Sequence, residues 1–229
     1  MKALNNDHPA KLVWESLPVT EVRSVFFEKL NSIQSSIQFS NNKAQIITVT
    51  SAHKGEGKTF TSMNLAAVYA MQGKRVLIID ADMHNPRLSK SFQQVNKPGF
   101  SSVLTGAMTY QEVVQTTGIE NLFFLPVGPL PPAPTKLLNS EHFKDFMMCV
   151  REEYDLILFD TPPILLISDS RTIGAASDGV ILVIKAAYTK KADIIRAIDL
   201  IEAKQDKFLG AIFNDKKLSK REMATYSYY

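Results

Sequence analysis

Cysteine is almost missing from this 229-residue sequence: Cys149 stands alone, which excludes an intrachain disulfide and suits a reducing compartment. Long apolar runs are missing as well. The opening stretch MKALNNDHPAKLVWESLP lacks the apolar core of a signal peptide, and no uninterrupted apolar segment approaches the roughly 18 residues of a membrane span. A cytoplasmic chain is therefore expected, with any membrane association borrowed from a partner. Charge of one sign does not gather either: 26 Lys and Arg against 23 Asp and Glu leave a net charge of +3, spread along the chain. Nucleic acid is not an expected partner on that balance. His8, His53, His84 and His142 show no metal-ligand spacing, which argues against a zinc site, and no internal repeat is present.

What is present is an apolar content of 45%, enough for one packed domain, expected over residues 21–215 between an N-terminal arm (1–20) and a polar tail (216–229). Val22, Val25, Phe26, Leu30, Ile33 and Ile37 recur at spacings of three and four, which predicts an amphipathic helix over 22–39. Beyond it, apolar runs alternate with helical patterns. AQIITVTS, KRVLIIDAD, NLFFLPVG, DLILFDTPP, DGVILVIKA and FLGAIFND read as strands. KTFTSMNLAAVYAMQG, residues 140–154, SDSRTIGAAS and KKADIIRAIDLIEAK read as helices. Residues 83–118 read as loop and short helices, and PLPPAP as a stiff turn. Strands this continuously apolar predict an α/β fold: a mostly parallel, twisted sheet flanked by helices on both faces.

TSAHKGEGKTFTS, residues 50–62, carries the chemistry. A glycine loop that leaves a strand and opens a helix can aim consecutive backbone N–H groups, and the positive end of the helix, at a phosphate. Gly55 and Gly57 permit the backbone angles, Lys58 can reach the outer phosphates, and the Thr59 hydroxyl can ligate magnesium. The pattern G-x-x-x-x-G-K-[ST] is met except at its first position, which is Ala52. The plainer alternative, a glycine turn with two solvated lysines, fits the strand–loop–helix setting less well. A magnesium nucleotide also needs carboxylates at neighbouring strand tips. Asp80 and Asp82 end one apolar run and Asp160 ends another. One such Asp alone reads as a turn or cap residue; three with the loop read as a nucleotide–metal site.

KGEGKT, with Lys54 four positions before Lys58, resembles the deviant Walker A loop of the P-loop NTPase group that includes the Min and Par proteins and the nitrogenase iron protein. Within that group, VTSAHKGEGKT, VLIIDADMHNP and LILFDTPP resemble the Walker A, A′ and B blocks of the bacterial tyrosine kinases (BY-kinases) that regulate capsule and exopolysaccharide synthesis. GPLPPAPTKLL is similar to that family's G-x-x-x-P-N-P-x-x-L-L turn, with Ala133 where Asn is usual, and TYSYY resembles its tyrosine-rich tail.

The resemblance runs from about residue 20 to the end and implies ATP and Mg2+ as cofactors. Lys54, Gly55, Glu56, Gly57, Lys58, Thr59 and Phe60 would contact the nucleotide, Lys58 holding phosphates and Thr59 the metal. Asp82 and Asp160 would act on the metal directly or through water, and Asp80 would orient or deprotonate a tyrosine hydroxyl. Tyr226, Tyr228 or Tyr229 would accept the phosphate, on a neighbouring subunit of a homo-oligomer. The partner implied is a transmembrane adaptor, a chain-length regulator whose cytoplasmic tail activates the kinase and holds it at the inner face of the membrane. Polysaccharide-synthesis enzymes would be further substrates. Two further features depart from the family pattern. Of its E-x-x-R-x-x-R helix only Glu28 remains, with Asn31 and Gln34 in place of the arginines, which argues against a ring assembly. His84 stands where an Arg is usual, with Arg87 nearby to replace it.

Asn214 closes the last apolar run, where related ATPases place an Asn on adenine; a simple turn Asn is the alternative. No guanine signature follows it, which favours ATP. Lys216, Lys217, Lys220 and Arg221 read as a solvated hinge, and Cys149 as a buried, inert thiol on an apolar helix face. A Min/Par-like nucleotide switch, or a nucleotide-binding scaffold without kinase activity, remain as alternatives to the kinase.

Overall fold

Every residue of three strands is buried, because each is sandwiched between helices on both faces of one sheet. The computed structural model describes residues 25–203 and 207–215. The expected arm, the basic cluster and the tail with Tyr226, Tyr228 and Tyr229 lie outside the described residues. In chain order the elements are α1 (Val25–Ser40), β1 (Ile46–Ser51), α2 (Lys58–Met71), β2 (Val76–Asp80), α3 (Arg87–Ser91), α4 (Phe100–Leu104), α5 (Tyr110–Val113) and β3 (Gln115–Thr116). There follow β4 (Leu122–Leu125), α6 (Pro134–Leu138), α7 (Glu141–Glu153), β5 (Leu156–Asp160), α8 (Asp169–Ala176), β6 (Gly179–Lys185), α9 (Lys191–Glu202) and β7 (Phe208–Asn214).

The seven strands lie in the order β3-β4-β2-β5-β1-β6-β7, and all neighbours are parallel except β3 with β4. The alternation of side chains along β1 sends Ile47 and Val49 to a core shared with α1 and α2, and Ile46 to a core shared with α4, α5 and α7. A smaller cluster under α9 holds Ala52, Leu182 and Ile184. The predicted strands and long helices are all found, within a few residues at their ends. The two-residue strand β3 and the helix α6, which begins on Pro134, were not legible. Both are too short to show a period, and Pro134 takes the first helical position, where its missing N–H is harmless.

One expectation is corrected. α7 buries Phe143, Phe146, Met147 and Val150, a stripe at spacings of three and four, and Cys149 falls off that stripe and is exposed. The run FMMC is uniformly apolar, so the sequence alone hides which side faces out.

Asn31 and Gln34, which stand where the family resemblance implies arginines, are engaged within the chain. Gln34 and Gln72, at the end of α2, exchange amide hydrogen bonds, and Gln72 Nε2 also donates to Asn31 Oδ1 at 3.1 Å. Gly73, at φ +84°, stops α2 immediately afterwards, as its place in the sequence predicts.

The sheet is the scaffold of the site, and its interior tolerates little loss. Phe124 of β4 is almost fully buried against Phe92, with ring centroids 5.1 Å apart. Phe124→Ala is expected to lower stability by about 3–5 kcal/mol, read from the urea unfolding midpoint.

Candidate functional site

β1 ends at Ser51, and residues 52–57 turn over its tip into α2, whose first turn carries Lys58, Thr59 and Phe60. Ala52, the residue in place of the first motif glycine, is fully buried in the cluster under α9, a position that accepts a methyl group. Gly57 precedes the helix with φ +93°, and an added Cβ would lie 1.9 Å from Asn214 Nδ2. Only glycine meets both conditions. Asn214 Nδ2 donates to the Glu56 carbonyl at 3.0 Å, so the tip of β7 holds the loop from one side.

Glu56 behaves unlike a solvent-facing loop residue. Its side chain is fully buried, one oxygen accepting from the His53 N–H at 2.9 Å and the other from the Thr189 hydroxyl. The carboxylate thus braces the loop against the β6–α9 connection and is turned away from the cleft; its share in nucleotide contact falls to its backbone. This bracing was missed in the sequence, because nothing in KGEGKT marks the glutamate as an anchor.

The three expected carboxylates converge. Asp80 and Asp160 are in register on adjacent strands, and Asp82 follows β2 by two residues. Asp80 is fully buried: Oδ2 accepts from the Ser89 N–H at 2.7 Å and Oδ1 from the Asp82 N–H at 3.2 Å. Burial, and then the charge of Asp160, push its pKa up to about 7 against the pull of those N–H donors. In this arrangement Asp80 shapes the loop that presents Asp82 and is buried beneath it. Asp82 Oδ1 accepts from the N–H groups of His84 (3.3 Å) and Asn85 (2.9 Å), and Oδ2 lies 3.3 Å from Lys58 Nζ. Burial also raises Asp160, with Lys58 opposing.

The fit to a cation rests on what is left without a partner. Among the described residues, three buried side-chain oxygens have no hydrogen-bond partner of ordinary geometry: Tyr110 Oη, in the core under α5, and Thr59 Oγ1 and Asp160 Oδ2, which lie close enough for the threonine hydroxyl to pull the Asp160 carboxyl down against its burial. Buried polar atoms are nearly always satisfied, so two adjacent oxygen orphans beside a phosphate-type loop match a hard, oxygen-seeking ion such as Mg2+. Among the described residues no group of three acidic, His or Cys side chains could hold a metal by itself. One carboxylate and one hydroxyl leave the remaining positions to phosphate oxygens and water, the usual habit of Mg2+.

Thr59 opens onto a cavity of about 340 Å³ lined by Lys54, Gly55, Gly57, Lys58, Thr59 and Phe60 on one side and by Asp82, Asn85, Arg87 and Pro163 on the other, while Asp80 and Asp160 lie beneath it, fully buried and outside its wall. Arg87, the first residue of α3, stands in that wall; His84 does not, its ring turned to Asp169 at 2.9 Å. Asn214 is not in the wall of the cavity, its amide group being spent on the loop.

With this geometry, the known proteins that the chain is similar to can be judged. The AAA-domain family model matches residues 44–211. The tyrosine-protein kinase YwqD of Bacillus subtilis is 37% identical over 99% of this chain and 96% of its own length. Among solved structures, the chimerical protein CapA2B2 superposes with a TM-score of 0.84 at 34% identity, covering 89% of this chain and 91% of its own. The kinase domain of the Escherichia coli tyrosine kinase ETK gives 0.81 at 26% identity, covering 90% and 82%.

Gly57 offers a direct test of the loop. Gly57→Ala is expected to weaken ADP binding at least tenfold by calorimetry, since a left-handed alanine costs about 1–2 kcal/mol before its clash with Asn214 is counted. The fold beneath a glycine loop, three carboxylates and two orphaned oxygens, taken with relatives matched along nearly the whole length, places the chain in the bacterial tyrosine kinase (BY-kinase) family of P-loop proteins.

Proposed function

We propose that the protein is an ATP-dependent tyrosine autokinase that transfers the γ-phosphate of magnesium ATP to its C-terminal tyrosines, Tyr226, Tyr228 or Tyr229, within the control of capsular or exopolysaccharide synthesis. The observation that carries it is the pair of buried, unpartnered oxygens, Thr59 Oγ1 and Asp160 Oδ2, beside the loop that holds Lys58. Phosphoryl transfer leaves little covalent work to the protein and depends on positioning and on neutralising charge. Thr59 and Asp160 would hold magnesium, with Asp82 joining directly or through water, and the ion would supply neutralisation of phosphate charge there.

The chain's own residues do the rest. The N–H groups from Lys54 to Phe60 and the open N-terminus of α2 cradle the phosphates. Lys58 exchanges Asp82 for a phosphate oxygen once nucleotide enters. Asn214, whose amide nitrogen is tied to the Glu56 carbonyl, keeps only its side-chain oxygen for adenine. Asp80, beneath the loop that carries Asp82, would orient or deprotonate the tyrosine hydroxyl.

The domain occupies residues 21–215, with the arm before it and the acceptor tail after it. The activating partner is the cytoplasmic tail of a membrane-spanning chain-length regulator, which recruits the kinase to the inner face of the membrane; polysaccharide-synthesis enzymes are further substrates. Among the described residues no helix is long and apolar enough to cross a membrane.

Incubating the full chain with ATP and Mg2+, with and without the adaptor tail, and mapping phosphate by mass spectrometry tests the reading. Label is expected on the terminal tyrosines, falling at least 100-fold in Lys58→Met and lost when all three tyrosines become Phe. ATP turnover without phosphotyrosine would favour a Min/Par-like switch, and binding without turnover a scaffold.

A further inference from the structure

Outside the carboxylate trio, Asp169 joins Glu56 as a fully buried acidic side chain among the described residues. It is the first residue of α8 and fully buried. An aspartate there ordinarily does no more than face the positive end of its helix. This one points elsewhere. Oδ2 takes the His84 ring Nε2 at 2.9 Å, and Oδ1 accepts from the Thr135 hydroxyl at 2.7 Å. Three connections are thereby joined by one carboxylate: the one after β2 through His84, the one after β4 through Thr135, and the one after β5 through Asp169 itself.

His84 belongs to the loop that holds Asp82. Its N–H donates to Asp82 Oδ1 at 3.3 Å while its ring is tied to Asp169, and the other oxygen of Asp82 faces Lys58 Nζ. A continuous path of contacts therefore runs from α8 through one histidine to the carboxylate nearest the phosphate-binding lysine. The ring of His84 is otherwise solvent-facing, with 42% of its side chain exposed, so Asp169 is what fixes its direction.

We propose that Asp169 is a positioning residue for the magnesium nucleotide: through His84, and with Thr135 as its second tether, it sets the orientation of Asp82. The proposal rests on the reading of Asp82 as a group of the metal end of the site. Partners that orient a metal-binding group without touching the ion typically change affinity or activity 10–100-fold when removed. Because the phosphates themselves are held by the 54–60 loop, the effect falls on the magnesium-dependent part of binding.

The test is calorimetry of the full chain with ADP, once with Mg2+ and once with EDTA, on the wild type, Asp169→Ala, His84→Ala, His84→Arg and Thr135→Val. Asp169→Ala and His84→Ala are each expected to shrink the gain in ADP affinity from Mg2+ about tenfold and to leave magnesium-free affinity within twofold. The double variant should be no worse than either single one, since both act along one path. His84→Arg, which keeps a donor facing Asp169, should recover most of the gain.

An unchanged magnesium gain in His84→Ala and Asp169→Ala would overturn the proposal, as would an equal loss with and without Mg2+, which marks a merely structural role. Should Asp169→Ala fail to fold, the exposed His84 and Thr135 variants decide the matter alone. A wild type that binds magnesium ADP but makes no phosphotyrosine would sink the autokinase reading and leave this inference standing.

Discussion

The site is organised around an excess of buried negative charge. Asp80 and Asp160 sit in register on neighbouring strands, which in a parallel sheet lie about 4.8 Å apart, and Asp82, two residues beyond β2, meets the Lys58 ammonium at 3.3 Å. Water is excluded from both strand-tip acids, so burial and mutual repulsion work in the same direction and push protons onto them. Such a cluster has two ways to relax: a shared proton or an added cation. Thr59 Oγ1 and Asp160 Oδ2, buried at the start of α2 and the tip of β5, are left without a partner, which makes a divalent ion the relief that their oxygen chemistry suits.

A loop that must accept a polyanion beside that cluster cannot be left to find its own shape. Its glycine at φ +93° allows the turn, but the rigidity comes from elsewhere: Asn214 on the Glu56 carbonyl, and the Glu56 carboxylate on the His53 N–H and the Thr189 hydroxyl. His53 is tied in turn to Asp193 of α9 at 3.1 Å. The tips of β1, β6 and β7 are thus one unit, and donors held in advance need little reorganisation when a phosphate arrives. On the other side the Asp82 loop is held by Asp80 below and by the contacts of His84 and Asn85 above. The cleft lies between two separately braced walls.

Much of this was legible before any coordinates. Continuous apolar runs gave the buried parallel strands, and strand–loop–helix context outweighed the missing first glycine at Ala52. The convergence of Asp80, Asp82 and Asp160 followed from their places at strand ends. What stayed hidden depends on direction rather than on type. Glu56 looked like a loop residue open to nucleotide, yet its side chain turns inward; Cys149 sat in an apolar run, yet points outward. Asp169 carries no signal of its own in the sequence, because its partners His84 and Thr135 are 85 and 34 residues away and no local pattern links them. Residue spacing predicts which face a side chain takes; it does not predict which of several distant donors will meet it there.

The same distinction governs assembly. Arginines at positions 31 and 34 would project long, always-charged forks that prefer a carboxylate on another surface. Asn31 and Gln34 are shorter and neutral, and they find their partner in Gln72 of the helix alongside. A subunit contact built on them must first break hydrogen bonds already made inside the chain, and it regains bonds of similar strength without the charge assistance that an arginine would add. The exchange is close to neutral where an arginine would make it favourable, so stable association of this chain has to draw its energy from surfaces other than this face of α1.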